Sequence, residues 1–493
     1  MTKRARNLIG IGIFLISMAL VLLILVLTQP KDETEDGPID SSTVSVLSYG
    51  RDDVATLTIK NENGEYTIRN GVTGFVIDEY AGFRQNSTTM GAAAKCAANI
   101  TAQALVEENS QELDKYGLSS DSPKAQCDVV LKDGTSYSVY FGINSPDGKT
   151  RYVRLADSDD VYTVLLNSSG YFYYREEDFI SLTVTDEISN NNVAPTLDHM
   201  TVTRKDLDYV IEFVDDSKNY DADAVTMASS QVMISPVYAY LDINNSNAIM
   251  YGLWGLSATG VVKVHPTEED FKEYGLDDPF CEVNLDAELQ NYNMKIGNVA
   301  FYELDENGDP TSIPAQFYCY YNGIDIIYTF ASSEVPWATF KPIDILTSLM
   351  TGNYIYAVDY IDVDYYGNSP VHYYFDLDGS VEDAVLHRIT IDGEDFDTEQ
   401  FKKLYQFMLA CPIDDLYFET TPPDESLVAT IYFKCYDGHE DLLEFYDIGS
   451  NRVAIKLNGY PSFSQPIGYL NVLRQNIEAF KNGATGDELQ TVW

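Results

Sequence analysis

The stretch VVLKDGTSYSVYF, Val129 to Phe141, decides the fold. Val129 and Leu131 lead through Asp133-Gly134 to Tyr137, Val139 and Phe141, so apolar side chains recur at every second residue on both sides of the dipeptide. Asp and Gly both tolerate positive φ, and alternation of period two fits a half-buried strand; the segment therefore reads as a β-hairpin. Two further stretches read the same way. Leu57 and Ile59 lead through Asn63-Gly64 to Tyr66 and Ile68, and Phe317 to Phe330 folds back at Asn322-Gly323.

Outward from these hairpins the chain repeats itself. ELDKYGL (Glu112 to Leu118) is followed by Pro123, Cys127, Val129, Leu131, Tyr137, Phe141-Gly142 and DVYTV (Asp160 to Val164). DFKEYGL (Asp270 to Leu276) is followed by Pro279, Cys281, Val283, Leu285, Tyr292, Ile296-Gly297 and IIYTF (Ile326 to Phe330). A more diverged third stretch holds Ala429 to Phe433, the turn Asp437-Gly438, Phe445, Ile448-Gly449 and Arg452 to Leu457. So long a period implies duplicated domains rather than a solenoid of small units. Each copy also has a helical stretch: Ala-rich Met90 to Val106, Ser230 to Leu241, and Thr398 to Leu409, with Thr398 as cap and Phe401, Leu404, Tyr405 and Met408 on one face. The expected class is α+β, as tandem antiparallel-sheet modules each with a helix, over residues 44–190, 195–350 and a diverged 354–493. Asn190 to Asn192 with Pro195 mark the first junction, and Met350 to Asn353 the second.

One N-terminal transmembrane helix is expected to precede the modules. Lys3, Arg4 and Arg6 give a basic tail over residues 1–7, and the uncharged run 8–28 follows. At about 1.5 Å per residue that run crosses the roughly 30 Å hydrocarbon layer once. Residues 29–43 form an acidic linker containing KDETEDGPIDSST (31–43). Cations before the run and acids after it point to a retained signal anchor in the cell membrane, with the N-terminus cytoplasmic and the remainder extracytoplasmic. The chain carries 31 Lys and Arg against 77 Asp and Glu, a net charge of -46. Nucleic acid is excluded as a partner, because phosphate binding relies on basic side chains displacing counterions; divalent cations and basic partners are favoured instead.

LTIKNENGEYTI (Leu57 to Ile68), a helix, YGL followed by Pro, DGTSYSVYFG (Asp133 to Gly142) and RYVRLADSDDVYTV (Arg151 to Val164) together resemble DUF4340, a family of bacterial membrane-anchored proteins. The second copy keeps YGL, the Gly after the strand and the YT ending, with a longer hairpin; the third lacks YGL. The resemblance brings no catalytic residues. It implies a context beside ABC-type transport subunits similar to those linked to gliding motility, and hence an accessory role next to a permease.

No motif for chemistry survives inspection. GINSPDGKT (Gly142 to Thr150) has five residues between its glycines where a phosphate-binding loop needs four, and reads as a hairpin loop. Asp305, Asn307 and Asp309 have the alternate spacing of a Ca²⁺ loop, but Pro310 stands where Gly is wanted and no closing Glu follows. Asp376 with Asp378, and Asp392, Asp395 and Asp397, read as caps and solvated loops. His199, His265, His372, His387 and His439 form no zinc motif; His439, among Asp437, Glu440 and Asp441, reads as a solvated hairpin tip. Of six cysteines, Cys411 and Cys435 are the candidate disulfide, against burial as free thiols. Tyrosines outnumber phenylalanines 37 to 22, and pairs of adjacent tyrosines put aromatic rings on both faces of a sheet.

The expectation is a non-enzymatic, membrane-anchored binding or scaffold protein without cofactor, accessory to an ABC-type transport system. The alternatives are a cell-envelope glycan or cationic-ligand binding protein, which tyrosines clustered in one groove would favour, and a surface hydrolase using paired carboxylates.

Overall fold

A computed structural model describes residues 43–121, 123–188, 195–216, 228–288, 290–347, 350–367, 369–410, 415–418 and 420–491. The molecule is mostly β, with 46% strand and 20% helix in four antiparallel sheets, which corrects the expected α+β class. Of the three expected helical stretches, one folds as strand and another ends early in strand. Among the described residues no helix is long and apolar enough to cross a membrane. The run 8–28, on which the transmembrane expectation rests, lies outside them.

The first stretch builds β1 (Val44–Ser48), β2 (Val54–Asn61), β3 (Gly64–Asn70), β4 (Phe75–Val76), β5 (Asn99–Ala102), β6 (Ala104–Glu107), β7 (Ala125–Leu131), β8 (Ser136–Asn144), β9 (Thr150–Leu155) and β10 (Val161–Leu165). β1 pairs with β5, and the other eight form one sheet ordered β4-β3-β2-β7-β8-β9-β10-β6. Both hairpins read from the sequence are present, with Asn61 opposite Gly64 and Val130 opposite Ser136.

The second stretch builds β11 (Leu197–Arg204), β12 (Ile211–Asp215), β13 (Ala228–Ser235), β14 (Ala239–Asp242), β15 (Gly260–Val264), β16 (Cys281–Ala287), β17 (Gln290–Leu304), β18 (Pro310–Tyr321) and β19 (Ile326–Ala331). Its sheet runs β14-β13-β12-β11-β16-β17-β18-β19-β15. The third builds β20 (Val358–Tyr365), β21 (Val371–Ser380), β22 (Val385–Ile391), β23 (Glu394–Phe396), β24 (Asp415–Leu416), β25 (Leu427–Cys435), β26 (Glu440–Gly449), β27 (Arg452–Leu457) and β28 (Tyr460–Pro466). Its order is β23-β22-β21-β20-β25-β26-β27-β28-β24.

The three large sheets share one plan. Two meanders grow outward from a central pair made by the first strand of each, β2 with β7, β11 with β16, and β20 with β25. The segment between the meanders crosses one face and adds a strand beside the last one. The central strands alternate as their sequences demand: Cys281, Val283, Leu285 and Ala287 of β16 are buried, as are Ala429, Ile431, Phe433 and Cys435 of β25. By chain contacts the sheets form two compact units, one of residues 43–81 and 87–176, the other of residues 82–86 and 177–491.

The helices depart from expectation in instructive ways. The first spans Ser87–Ala98 and stops where Asn99-Ile100-Thr101-Ala102 begins to alternate exposed with buried as β5. Ser230 to Leu241 is not helical but forms most of β13 and of β14. Pro236 forbids a helix there, since it lacks an N–H and pushes the residue before it out of the helical region. Thr398–Leu409 is helical as read, with Phe401, Leu404, Tyr405 and Met408 buried, but its cap is Asp397, which accepts from the Gln400 N–H at 2.9 Å. A second helix, Gly468–Lys481, packs beside it through Phe401 and Phe480, whose ring centres lie 6.2 Å apart.

The repeated YGL has a physical cause. Gly117 and Gly275 adopt φ of 68° and 70°, ending a turn that buries Leu118 and Leu276 completely. The carbonyl of the preceding tyrosine lies against the glycine of the paired motif. A Cβ on Gly142 would stand 2.0 Å from the Tyr116 oxygen, and one on Gly297 would stand 2.2 Å from that of Tyr274. In the first copy the buried Arg154 guanidinium adds a clamp, donating to the Leu118 carbonyl at 3.0 Å.

Candidate functional site

The turn Asp437-Gly438 joins β25 to β26 as the sequence suggests, with Gly438 at φ 97°. Its side chains are not uniformly solvated, which corrects the reading of His439 as a solvated tip. Asp437 and Glu440 are exposed, but the His439 side chain is 8% exposed and that of Asp441 0%. They are covered because the end of the second sheet packs here. The Tyr238 N–H donates to the Pro461 carbonyl at 3.0 Å, and the Ser462 hydroxyl donates to the Tyr238 carbonyl at 2.8 Å.

Asp441 is consequently a buried carboxylate with its acceptor sites filled. Its Oδ1 accepts from the Tyr240 hydroxyl at 2.5 Å and from Asn458 Nδ2 at 3.1 Å. Its Oδ2 accepts from Asn353 Nδ2 at 2.9 Å and from His439 Nε2 at 3.1 Å. Burial alone would raise the Asp441 pKa, yet hydrogen bonding and charge from His439, with Tyr240 and Asn458, hold it below the ordinary carboxylate value. Burial likewise pulls the His439 imidazole down, and the hydrogen bond and charge of Asp441, with Asp437 and Asp216 behind, outweigh it and leave the pKa raised.

Above this network lies an open cleft of about 780 Å³. The second sheet contributes Val214, Asp216, Val232, Ile234, Tyr238 and Tyr240; the third contributes Tyr432, Asp437, Gly438, His439, Glu440, Leu442, Asn458 and Tyr460. Tyr238 and Tyr460 are stacked, with ring centres 5.4 Å apart and planes at 22°. No Lys or Arg is among these wall residues, although Lys434 ion-pairs with Glu440. The cleft thus offers aromatic faces beside carboxylates, a combination that attracts organic cations through both ring quadrupole and charge.

Sequence reasoning missed most of this site. Tyr240 and Asp441 meet across two modules, and only the acids around His439 hinted at it. Asp305, Asn307 and Asp309 lie at the β17–β18 turn, where the Asp305 carboxylate accepts from the backbone N–H groups of Asn307 and Asp309 at 2.8 and 2.9 Å. Among the described residues no group of three or more His, Cys, Asp or Glu is arranged to hold a metal. Cys435 carries a buried free thiol, and Cys411 lies outside the described residues. Cys281 and Cys319 both face Ile296 from neighbouring strands. Two strand spacings, about 9.5 Å, separate them, too far for a disulfide. GINSPDGKT is the β8–β9 hairpin loop, closed by the Ser145 N–H on the Thr150 carbonyl at 2.9 Å. His199, His265 and His372 each pair with a carboxylate on an adjacent strand or loop, Glu212, Asp325 and Asp364.

Comparison with curated proteins and with solved structures returned no match. The profile of a domain of unknown function, DUF4340, matches residues 76–279. That stretch starts within β4 and stops before β16, so it takes in the latter part of the first sheet and the early part of the second. The resemblance to DUF4340 therefore holds over residues 76–279, which include both YGL motifs, Asp133 to Gly142 and Arg151 to Val164 but not Leu57 to Ile68.

Proposed function

We propose that this chain is an extracytoplasmic binding protein that takes an organic cation in the cleft between its second and third sheets. The observation that carries the reading is the cleft wall, where Tyr238, Tyr432 and Tyr460 stand with Asp216, Asp437 and Glu440, without Lys or Arg and with His439, the one basic side chain, hydrogen-bonded to Asp441. A volume of about 780 Å³ suits a ligand larger than a metal ion. Binding is favoured over catalysis because the buried acid-base pair is saturated. All the acceptor sites of Asp441 are engaged, and the buried His439 is committed to that partner through Nε2, so neither is poised to move a proton. Cations before the run 8–28 and acids after it support a place outside the cytoplasm.

Titration calorimetry of the full chain with spermidine and with choline, against a neutral disaccharide, tests this. Saturable binding of a cation is expected, weakened about tenfold in Tyr460→Ala and in Asp437→Asn. Heat from the disaccharide alone, or cation binding unchanged in both variants, would exclude the cleft as a cation site. The accessory role implied by the DUF4340 resemblance joins this proposal: the bound ligand would be presented to an ABC-type permease. Affinity purification of the full chain without any permease or ATP-binding subunit would remove that part.

A further inference from the structure

The three sheets share a strand plan, so each shows what the fold needs and what one copy has added. The hairpin that follows the central pair is β8–β9 in the first sheet and β26–β27 in the third, with strands of 9 and 6 and of 10 and 6 residues. Its counterpart β17–β18 has strands of 15 and 12 residues. The two shorter copies close their sheets without the extra length, so the extension serves no requirement of the fold.

The extension has the character of a surface made for a partner. β16 accompanies β17 only as far as Cys281 opposite Ile296, and β19 accompanies β18 only as far as Ala331 opposite Gln316. Beyond Phe301 opposite Gln316 neither neighbour continues, and β17 and β18 pair only with each other, from Tyr302 opposite Pro314 to Leu304 opposite Pro310. Phe301, Tyr302, Leu304 and Ile313 are 59%, 45%, 65% and 54% exposed, an apolar concentration on a ribbon with no buried residue of its own. The two edges differ. The β18 side carries Pro310 and Pro314, which cannot donate to an added strand, whereas β17 from Val299 to Leu304 has neither proline nor lysine to blunt it. The tip is stiffened by the Asp305 carboxylate, which gathers the Asn307 and Asp309 N–H groups.

Charge selects the partner. Glu303, Asp305, Glu306 and Asp309 crowd the tip, and no Lys or Arg occurs between Lys295 and Lys341. We infer that the β17–β18 arm docks an extended segment of another protein, one that alternates Lys or Arg with apolar residues and adds as a strand along Val299 to Leu304. Backbone pairing would hold the segment, Tyr302 and Leu304, which share one face of β17, would take its apolar side chains, and the acids, Glu303 on the other face among them, would meet its cations. A second copy of this chain, with the same acidic tip, fits poorly, and an anionic membrane surface would repel the acids.

The test uses the full chain and a fluorescent peptide alternating Lys with Val, beside one alternating Glu with Val. Anisotropy should show the Lys peptide binding and the Glu peptide not. Tyr302→Ser combined with Leu304→Ser, which removes only exposed side chains and keeps every acid, should weaken the Lys peptide about tenfold. Hydrogen exchange should slow across residues 299–304 when the peptide is bound. Equal affinity in the wild type and the double variant would assign the peptide to the general negative surface and overturn the inference. So would binding without slowed exchange at those amides, failure of the Lys peptide to bind, or a concentration-dependent dimer that the double variant abolishes.

Discussion

The Tyr240 hydroxyl, on the last strand of the second sheet's first meander, donates a 2.5 Å hydrogen bond to Asp441 Oδ1 at the start of β26 in the third sheet. Two modules are thereby joined through one carboxylate that has no contact with solvent.

Tyr240→Phe removes one of the four donors from a buried charge, and a hydrogen bond to a charged group is worth about 1.5 to 3 kcal/mol. Asp441→Ala leaves His439 without its buried partner, and breaking a buried pair costs about 3 to 5 kcal/mol. Urea unfolding followed by tyrosine fluorescence should show both losses in that order of size. Equal midpoints for wild type and Asp441→Ala would disprove the joint.

The same pair gives stability a pH dependence. His439 is raised on folding, so its contribution is complete below the unfolded imidazole pKa of about 6.5 and is lost as pH rises through the folded value. Asp441 is lowered, so its contribution is complete above the unfolded carboxylate pKa of about 4 and is lost as pH falls through the folded value. The pair therefore stabilises most between those limits. Raising the pH from about 6 to about 9 should lower the unfolding midpoint more in the wild type than in His439→Gln; an equal fall in both would refute it.

Gly142→Ala and Gly297→Ala should each destabilise by about 1 to 3 kcal/mol or more, because the new methyl meets a backbone carbonyl that has little room to retreat. Gly134→Ala is the contrast. Its Cβ meets nothing within 4 Å, and only the left-handed φ of 90° opposes it. Thermal unfolding of the three variants should rank Gly134→Ala as the mildest.

Thiol labelling should follow burial. Cys96 is half-buried, whereas Cys127, Cys281, Cys319 and Cys435 are buried and burial pushes their pKa upward. With Cys411→Ser as background, maleimide should modify Cys96 first and reach the other four only in denaturant. Rapid labelling of Cys127 in the native chain would contradict its place in the core.

Much of the fold was legible because the interactions that form it are close in sequence. Asn63-Gly64, Asp133-Gly134 and Asn322-Gly323 announce their hairpins through backbone conformation alone, and Thr398 to Leu409 announces its helix through a run of buried side chains on one face. Ser230 to Leu241 was misread because its apolar residues suit either period, and only its place at the sheet's edge, with Pro236 inside it, settles the matter. The third copy lacks YGL, yet its sheet follows the plan of the other two, since alternation and turns survive where a loop motif does not.

By itself the sequence determined the strands, their turns and the negative sign of the surface, because each follows from neighbouring residues or from composition. Tertiary structure alone decided that Tyr240, Asn353, His439 and Asn458 would converge on Asp441, and that Tyr238 and Tyr460 would stack above it. Those residues lie as far apart as Tyr238 and Tyr460, 222 positions, and their meeting depends on how two sheets pack. Burial then turned an acidic turn that would have been ordinary in water into a hydrogen-bonded His–Asp pair at the base of a cleft.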